Sequence, residues 1–204
     1  HEEMKTGIMS GFKLGGLNAY KLLRSVLISG AVSASVKDPV WKYKWVENKE
    51  PEIFSKVYKW LDVKDFLVCR ATGQFTMSED SAFATLLYDT RKDKMQFSSE
   101  LCKLMGVNIN HLPPICKSTD MAGTLTPKAG EELGLVPGTP VFSGGGDASL
   151  IGVGSGAVEE GETHIYMGTS GWVSVVVKEQ RLDINNMIAS IVGAVPGYYN
   201  YFAE

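Results

Sequence analysis

The sequence has no block of basic residues and no long apolar run. Its 20 Lys and Arg are interspersed among 23 Asp and Glu, which gives a formal net charge of -3. Nucleic acids and anionic membrane surfaces are bound through clustered Lys and Arg, so neither is an expected partner. No apolar stretch approaches the roughly 18 to 20 residues that a membrane-spanning helix needs. We therefore expect a globular protein with no nucleic acid and no membrane among its partners.

Cysteine and histidine are scarce and scattered. An odd number of cysteines without a C-x-x-C pair argues against a disulfide framework, and the wide spacing of both residue types argues against a zinc site. The sequence therefore predicts no protein-held metal and a reducing, cytoplasmic environment. The residues concerned are Cys69, Cys102, Cys116, His1, His111 and His164.

The common nucleotide-binding and nucleophile motifs are also missing. No Lys or Arg occurs between Lys128 and Lys178, which excludes a Walker-type phosphate loop in the glycine-rich part of the chain. Gly152, Gly154 and Ala157 fit a relaxed dinucleotide fingerprint, but an acidic turn follows where a βαβ unit should continue. The central serine of a G-x-S-x-G nucleophile elbow is absent as well. A Rossmann protein and a serine hydrolase are therefore disfavoured.

What is present before residue 139 is mostly helical in pattern, with recognisable helix ends. Asp38-Pro39 combines an N-cap with a first-turn proline, and Trp41 and Trp45, four residues apart, are expected to pack in the core. The predicted helices are Leu14 to Leu27 ending at Gly30, one from Pro39, Pro51 to Leu61, Lys64 to Ala71 ending at Gly73, Ser78 to Leu87, Ser98 to Met105, and Pro127 to a stop at Gly134.

The stretch from Thr139 onward carries the first candidate site. Thr139 to Phe142 is β-branched and aromatic, which predicts a buried strand, and Gly144-Gly145-Gly146 allow a sharp turn. Asp147 then opens a small, apolar helix. A carboxylate is thereby predicted at the end of a strand and the start of a helix, where open α/β sheets bind ligands.

A second candidate follows directly. Thr163 to Met167 and Trp172 to Val177 are strand-like, and Gly168-Thr169-Ser170-Gly171 joins them as a hairpin tip of small and hydroxylated residues. Backbone N–H groups and hydroxyls at such a tip can surround phosphate oxygens. Each feature also has a purely structural interpretation, since Asp147 can serve as a helix cap and the tip as an ordinary turn.

Several short motifs occur in an order that resembles the FGGY family of carbohydrate kinases, closest to its xylulose-phosphorylating branch. The resemblance covers nearly the whole chain from Leu14. Its motifs are V-F-S-G-G-G-D at Val141–Asp147, I-Y-M-G-T-S-G at Ile165–Gly171, K-Y-K-W-V-E-N at Lys42–Asn48, and K-D-F-L at Lys64–Leu67 before A-T-G at Ala71–Gly73.

The resemblance implies the α/β fold of actin-like ATPases, in which ribonuclease-H-like domains with a central sheet and flanking helices enclose the active site. Residues 1–160 would be the N-terminal, sugar-binding domain, incomplete at its start. Residues 161–204 would begin the C-terminal, ATP-binding domain. On this interpretation both ends belong to a longer polypeptide, and the 204-residue chain alone is expected to have no kinase turnover.

The resemblance also implies the chemistry. The γ-phosphate of ATP would pass to a hydroxyl of a ketose, with D-xylulose the expected substrate. Asp147 falls on the position of the catalytic base, while Gly168, Thr169, Ser170 and Gly171 fall on a phosphate-binding hairpin. Asp147 and Ala148 are the expected sugar contacts, and Mg²⁺ would be held by ATP and water.

The family features that are missing leave alternatives open. An N-terminal phosphate hairpin, a W-x-D-x-R substrate segment and an adenosine-binding segment do not occur in this sequence. Ala148 stands where relatives often carry an amide side chain, which leaves the sugar uncertain among ribulose, gluconate, glycerol and other polyols. A non-catalytic actin-like module that binds nucleotide or sugar is the alternative from a different class. A homodimer, common among relatives, is left open.

Overall fold

The computed structural model describes residues 2–6, 11–169, 171–183 and 188–203. These residues form two compact units. The first comprises residues 1–60 and 82–113, and the second comprises residues 61–81 and 114–204. The sequence-based assignment of residues 1–160 and 161–204 to two domains of a longer protein is a separate division, and it remains a prediction. Among the described residues, no helix is long and apolar enough to cross a membrane.

Helices predominate up to residue 154, and five consecutive strands follow from residue 163. The helices are α1 (Ala19–Ser29), α2 (Pro39–Lys49), α3 (Pro51–Phe54), α4 (Val63–Thr72), α5 (Glu79–Ala84), α6 (Ser99–Met105), α7 (Pro127–Leu133) and α8 (Asp147–Gly154), with 3₁₀ turns at Glu2–Met4 and Ile109–His111. The strands are β1 (Lys13–Leu14), β2 (Leu17–Asn18), β3 (Met77–Ser78), β4 (Tyr88–Asp89), β5 (Gln96–Phe97), β6 (Ile115–Cys116), β7 (Met121–Thr124), β8 (Pro140–Phe142), β9 (Thr163–Met167), β10 (Gly171–Val177), β11 (Leu182–Asp183), β12 (Ile188–Val192) and β13 (Tyr199–Ala203).

The first unit is built on one apolar core between its helices. Tyr43 is central to it, because its ring packs edge-on against Phe54 at 5.1 Å and its hydroxyl lies 2.9 Å from Nδ1 of His111. A buried aromatic ring needs a partner for its polar end, and here His111 supplies it. The buried members of this core are Met4, Leu17, Ile28, Val40, Trp41, Tyr43, Leu87, Leu101, Cys102, Met105, Val107 and Leu112.

The start of α1 differs from the prediction. Leu14 and Leu17 lie in the β1–β2 hairpin rather than in the helix. Gly15 and Gly16 form its turn with φ of 57° and 80°, conformations that glycine adopts without a Cβ clash. The side chain of Asn18 accepts the Lys21 N–H and begins the helix there. The predicted end at Gly30 is confirmed.

Two further predictions in this unit were wrong in part. The helix from Pro51 ends at Phe54 instead of continuing to Leu61. The chain beyond it is held by tertiary hydrogen bonds, since the Trp60 N–H donates to the His111 carbonyl at 2.7 Å. The expectation that Trp41 and Trp45 both pack in the core holds for Trp41, which is 5% exposed, but not for Trp45, which is 56% exposed.

The second unit contains the main sheet, with strand order β11-β12-β13-β10-β9 and antiparallel pairing throughout. Helix α8 packs against the edge strand β9, and α4 packs against α7 and the β7–β8 ribbon. The predicted ends of α4 and α7 are confirmed, because Gly73 and Gly134 adopt the left-handed conformation that closes a helix.

The strand predicted at Thr139 to Phe142 exists as β8, but its predicted burial is wrong. β8 pairs with β7 in a two-stranded ribbon, and Phe142 is 57% exposed. The apolar residues of this run suggested a buried position in a larger sheet. A ribbon that leaves one side to solvent does not bury its alternate side chains.

Candidate functional site

The glycine turn after β8 delivers Asp147 to the protein surface. Gly144 has φ of 66°, a left-handed conformation, and Gly146 is the N-cap of α8. Asp147 is the first helical residue, and its side chain is exposed. Its Oδ1 accepts the N–H of the next residue, Ala148, at 2.9 Å. Because the N-cap is Gly146 and no side chain caps this helix, the alternative interpretation of Asp147 as a helix cap is wrong.

Helix α8 is fixed to the main sheet just behind this carboxylate. Ala148 is half-buried, and the buried Ser149 donates its hydroxyl to the Val192 carbonyl of β12 at 3.2 Å. A side-chain hydrogen bond in the first turn restrains the start of the helix. The direction in which Asp147 leaves the turn is therefore set by the sheet below it.

The predicted hairpin is present as β9 and β10, which pair with Gly171 opposite Met167. Gly168 and Thr169 are exposed at its tip, and Ser170 lies outside the described residues. A Cβ on Gly168 would lie 2.6 Å from the Tyr166 hydroxyl, so no larger residue fits there without displacement. The tip thus offers backbone groups and the Thr169 hydroxyl to solvent.

A buried histidine lies between the helix and the hairpin. His164 is 5% exposed, and its Nε2 accepts the indole N–H of Trp172 at 3.2 Å. On the other side, a Cβ on Gly152 of α8 would lie 3.0 Å from the His164 ring. Trp172 also stacks on Tyr166 at 4.1 Å. Asp147 and the tip are therefore carried by elements that pack directly on each other.

The candidate residues form two groups rather than one bonded cluster. Asp147 and Ala148 are adjacent at the start of α8, and Gly168, Thr169 and Gly171 are adjacent at the hairpin tip. Within the described part of the chain, no hydrogen bond or ion pair joins Asp147 to the tip. The described residues also contain no group of three or more His, Cys, Asp and Glu that could hold a metal ion.

A buried polar network beneath the glycine turn was missed from the sequence. The side chain of Lys64 donates to the Asp65 carboxylate and, at 2.7 Å, to the Ser78 hydroxyl. Burial raises the pKa of Asp65, while Lys64 and the hydrogen bonds from Ser78 and Ser81 act in the opposite direction. The sequence signal was the charged pair Lys64-Asp65 and the polar run at residues 78–81, which pattern alone assigns to exposed faces.

Solved structures define the class of fold. The chain superposes on a ligand-bound xylulose kinase from Lactobacillus acidophilus with a TM-score of 0.76 and 22% identity, covering 88% of this chain and 36% of that one. The fold is therefore the α/β fold of the actin-like ATPases, as the resemblance implied.

The sequence comparisons then give the family. The profile for the N-terminal domain of the FGGY family of carbohydrate kinases matches residues 25–154. The xylulose kinase of Bacillus subtilis (strain 168) is 33% identical over 148 residues, 72% of this chain and 29% of that protein. The gluconokinase of the same organism is 24% identical over 145 residues, 71% of this chain and 28% of that protein. The chain belongs to the FGGY family, and it spans less than a third of the length of these two relatives.

Proposed function

We propose that this chain is part of an ATP-dependent sugar kinase that transfers the γ-phosphate to a hydroxyl of a ketose, with D-xylulose the first candidate. The observation that carries the proposal is the exposed carboxylate of Asp147 at the end of a glycine turn, on a helix packed against a hairpin with a small, exposed tip. Membership in the FGGY family supports the reaction class. The similarity to a xylulose kinase supports the substrate.

Asp147 is the proposed catalytic base. Its exposed carboxylate would accept the proton of the sugar hydroxyl as that oxygen forms a bond to the γ-phosphorus, while the bond from phosphorus to the ADP oxygen breaks. A positioned base contributes about 10² to 10⁴ in rate, and the rest comes from orientation and charge stabilisation. Ala148, next in the helix, is a proposed contact to the sugar.

The hairpin tip is the proposed phosphate contact. Gly168 is exposed and has no side chain, Thr169 offers a hydroxyl, and Gly171 begins β10 without a side chain, all of which fit the close approach of phosphate oxygens. Ser170 is proposed to join them. Mg²⁺ would enter with ATP and neutralise phosphate charge, held by nucleotide oxygens and water rather than by these residues. A cytoplasmic location, where ATP is available, agrees with the three free cysteines.

The substrate test is an ATP-dependent phosphorylation screen. The longest polypeptide that contains this chain would be assayed with D-xylulose, ribulose, gluconate and glycerol, each against a reaction without sugar. We expect D-xylulose to give the highest kcat/KM. Gluconate is the strongest competitor, because a gluconokinase is among the relatives. A screen in which ATP binds but no sugar is phosphorylated would contradict the proposal and favour a binding module.

A further inference from the structure

The start of α8 is held by a buried carboxylate from another part of the chain. Oδ2 of Asp80 accepts the N–H of Gly146 at 2.6 Å, and Asp80 is 7% exposed. Gly146 is the N-cap residue immediately before Asp147 and has no side chain with which to cap the helix. A hydrogen bond to an ionised acceptor is shorter and stronger than a neutral one. Asp80 therefore restrains the backbone from which the Asp147 side chain projects.

Asp80 is itself fixed by two further hydrogen bonds. Its Oδ1 accepts the Ser78 hydroxyl at 2.5 Å and the Ser81 N–H at 3.0 Å. With both oxygens engaged, the carboxylate cannot rotate without breaking a hydrogen bond in a buried site, which costs the desolvation of the partner left unpaired. The position of Oδ2 is thus set before any ligand arrives.

The same network reaches the other end of the turn. The Lys64 ammonium, which donates to Ser78, also lies 3.5 Å from the Gly144 carbonyl oxygen. A Cβ on Gly145 would lie 2.9 Å from the Asp80 Oδ2 and 2.9 Å from the Ala194 Cβ. The turn is therefore packed directly onto the carboxylate, with no room for a larger residue between them.

We propose that Asp80 is a positioning residue for Asp147: it holds the Gly146 N–H and so fixes where the carboxylate of Asp147 stands. The inference rests on the proposed function, in which Asp147 is the base. Misplacement of a catalytic group by about 1 Å can cost up to about 10² in rate. Loosening this turn therefore lowers the rate of the chemical step, while the contact of the hairpin tip with ATP is retained.

The test compares two carboxylate-to-amide changes in the longest polypeptide that contains this chain. Asp80→Asn keeps the shape of the side chain but replaces one carboxylate oxygen with an NH₂ group. The variant can therefore accept hydrogen bonds either from Gly146 or from Ser78 and Ser81, but not from both sides. We expect kcat for the sugar to fall about 10- to 100-fold, with KM for ATP unchanged within about threefold. The matched control is Asp89→Asn, because Asp89 is also buried but lies in the other unit, bound to Arg91. It is expected to lower stability and leave kcat near that of the wild type.

Amide hydrogen exchange on a peptide that covers residues 143–147 separates positioning from general destabilisation. Asp80→Asn should raise exchange there, and Asp89→Asn should not. Ser78→Ala, which removes one hydrogen bond to Asp80, should give smaller changes of the same kind if Asp80→Asn does not fold. An unchanged kcat, or a lower kcat without faster exchange in this peptide, would overturn the inference. A kcat that survives Asp147→Asn would instead refute the proposed function, so the two failures are distinguishable.

Discussion

Two glycines two residues apart in α8 have different surroundings. A Cβ on Gly152 would meet the buried His164 ring at 3.0 Å and 3.1 Å, whereas a Cβ on Gly154 would meet nothing within 4 Å. The buried ring also accepts the Trp172 N–H, so it cannot withdraw without breaking that hydrogen bond. Gly152 is required by packing, and Gly154 is not.

We therefore expect opposite effects from the same substitution. Gly154→Ala should raise the free energy of unfolding by up to about 1 kcal/mol, because alanine restricts the unfolded chain and favours helix. Gly152→Ala should lower the free energy of unfolding, because the cost of displacing the His164 ring exceeds the gain in helix propensity. Urea denaturation of the two variants measures both changes. Equal effects would show that His164 does not pack against α8 as described.

The β4–β5 hairpin is held by an ion pair in its turn. Asp89, at the end of β4, is 2% exposed, and its carboxylate accepts from the Arg91 guanidinium at 2.8 Å and 2.6 Å. Asp89 also accepts the Arg91 N–H at 3.2 Å. These bonds hold the pKa of Asp89 below its ordinary value. The carboxylate is thus stabilised in its ionised form by the fold.

The stability of this element should depend on pH with a defined sign. Above the unfolded pKa of about 3.9, Asp89 is ionised in both states and the pair contributes fully. As pH falls, the unfolded chain binds a proton first, and the contribution is lost as pH approaches the lower folded pKa. Asp89→Asn should therefore cost about 1–3 kcal/mol near neutral pH and progressively less below about pH 4.

Urea denaturation near pH 6 and near pH 3 measures this dependence. Asp93→Asn is the matched control, because Asp93 lies exposed in the same turn and should show no such change. An equal loss for Asp89→Asn at both pH values would contradict the ion pair as the cause.

Element ends were predictable where they depend on neighbouring residues. Helix α7 begins at Pro127 as predicted, with Thr126 as its side-chain cap. Helix α6 begins at Ser99, one residue after the predicted start, because Ser98 is its cap. The end of α3 was not predictable, because the segment after Phe54 is held by contacts with residues 110–112. One of these is the hydrogen bond from the Lys59 ammonium to the Leu112 carbonyl at 2.9 Å. Contacts between distant segments decide such cases, and apolar spacing carries no information on them.

At the scale of the whole molecule, one part of the candidate site was predictable from the sequence and another part was not. The turn before Asp147 and the Gly168–Gly171 hairpin are local and were predicted. Their support was not, since Asp80 and Gly146 are 66 residues apart in the chain. No periodicity links two such positions, and only the fold brings the carboxylate beneath the turn.

The proposed sugar kinase reaction depends most directly on Asp147 as the catalytic base. The direct measurement is kcat for phosphoryl transfer to the sugar in the longest polypeptide that contains this chain, for the wild type and Asp147→Asn. Asp120→Asn is the matched control, because Asp120 is also exposed and also accepts one backbone N–H, that of Lys117, at 2.9 Å.

We predict that Asp147→Asn lowers kcat by about 10² to 10⁴ while ATP still binds, since an amide cannot accept the proton of the hydroxyl. Asp120→Asn should retain turnover close to that of the wild type. Sugar phosphorylation that is indifferent to Asp147→Asn would contradict the central claim, because the exposed carboxylate would then serve only in its hydrogen bond to the Ala148 N–H.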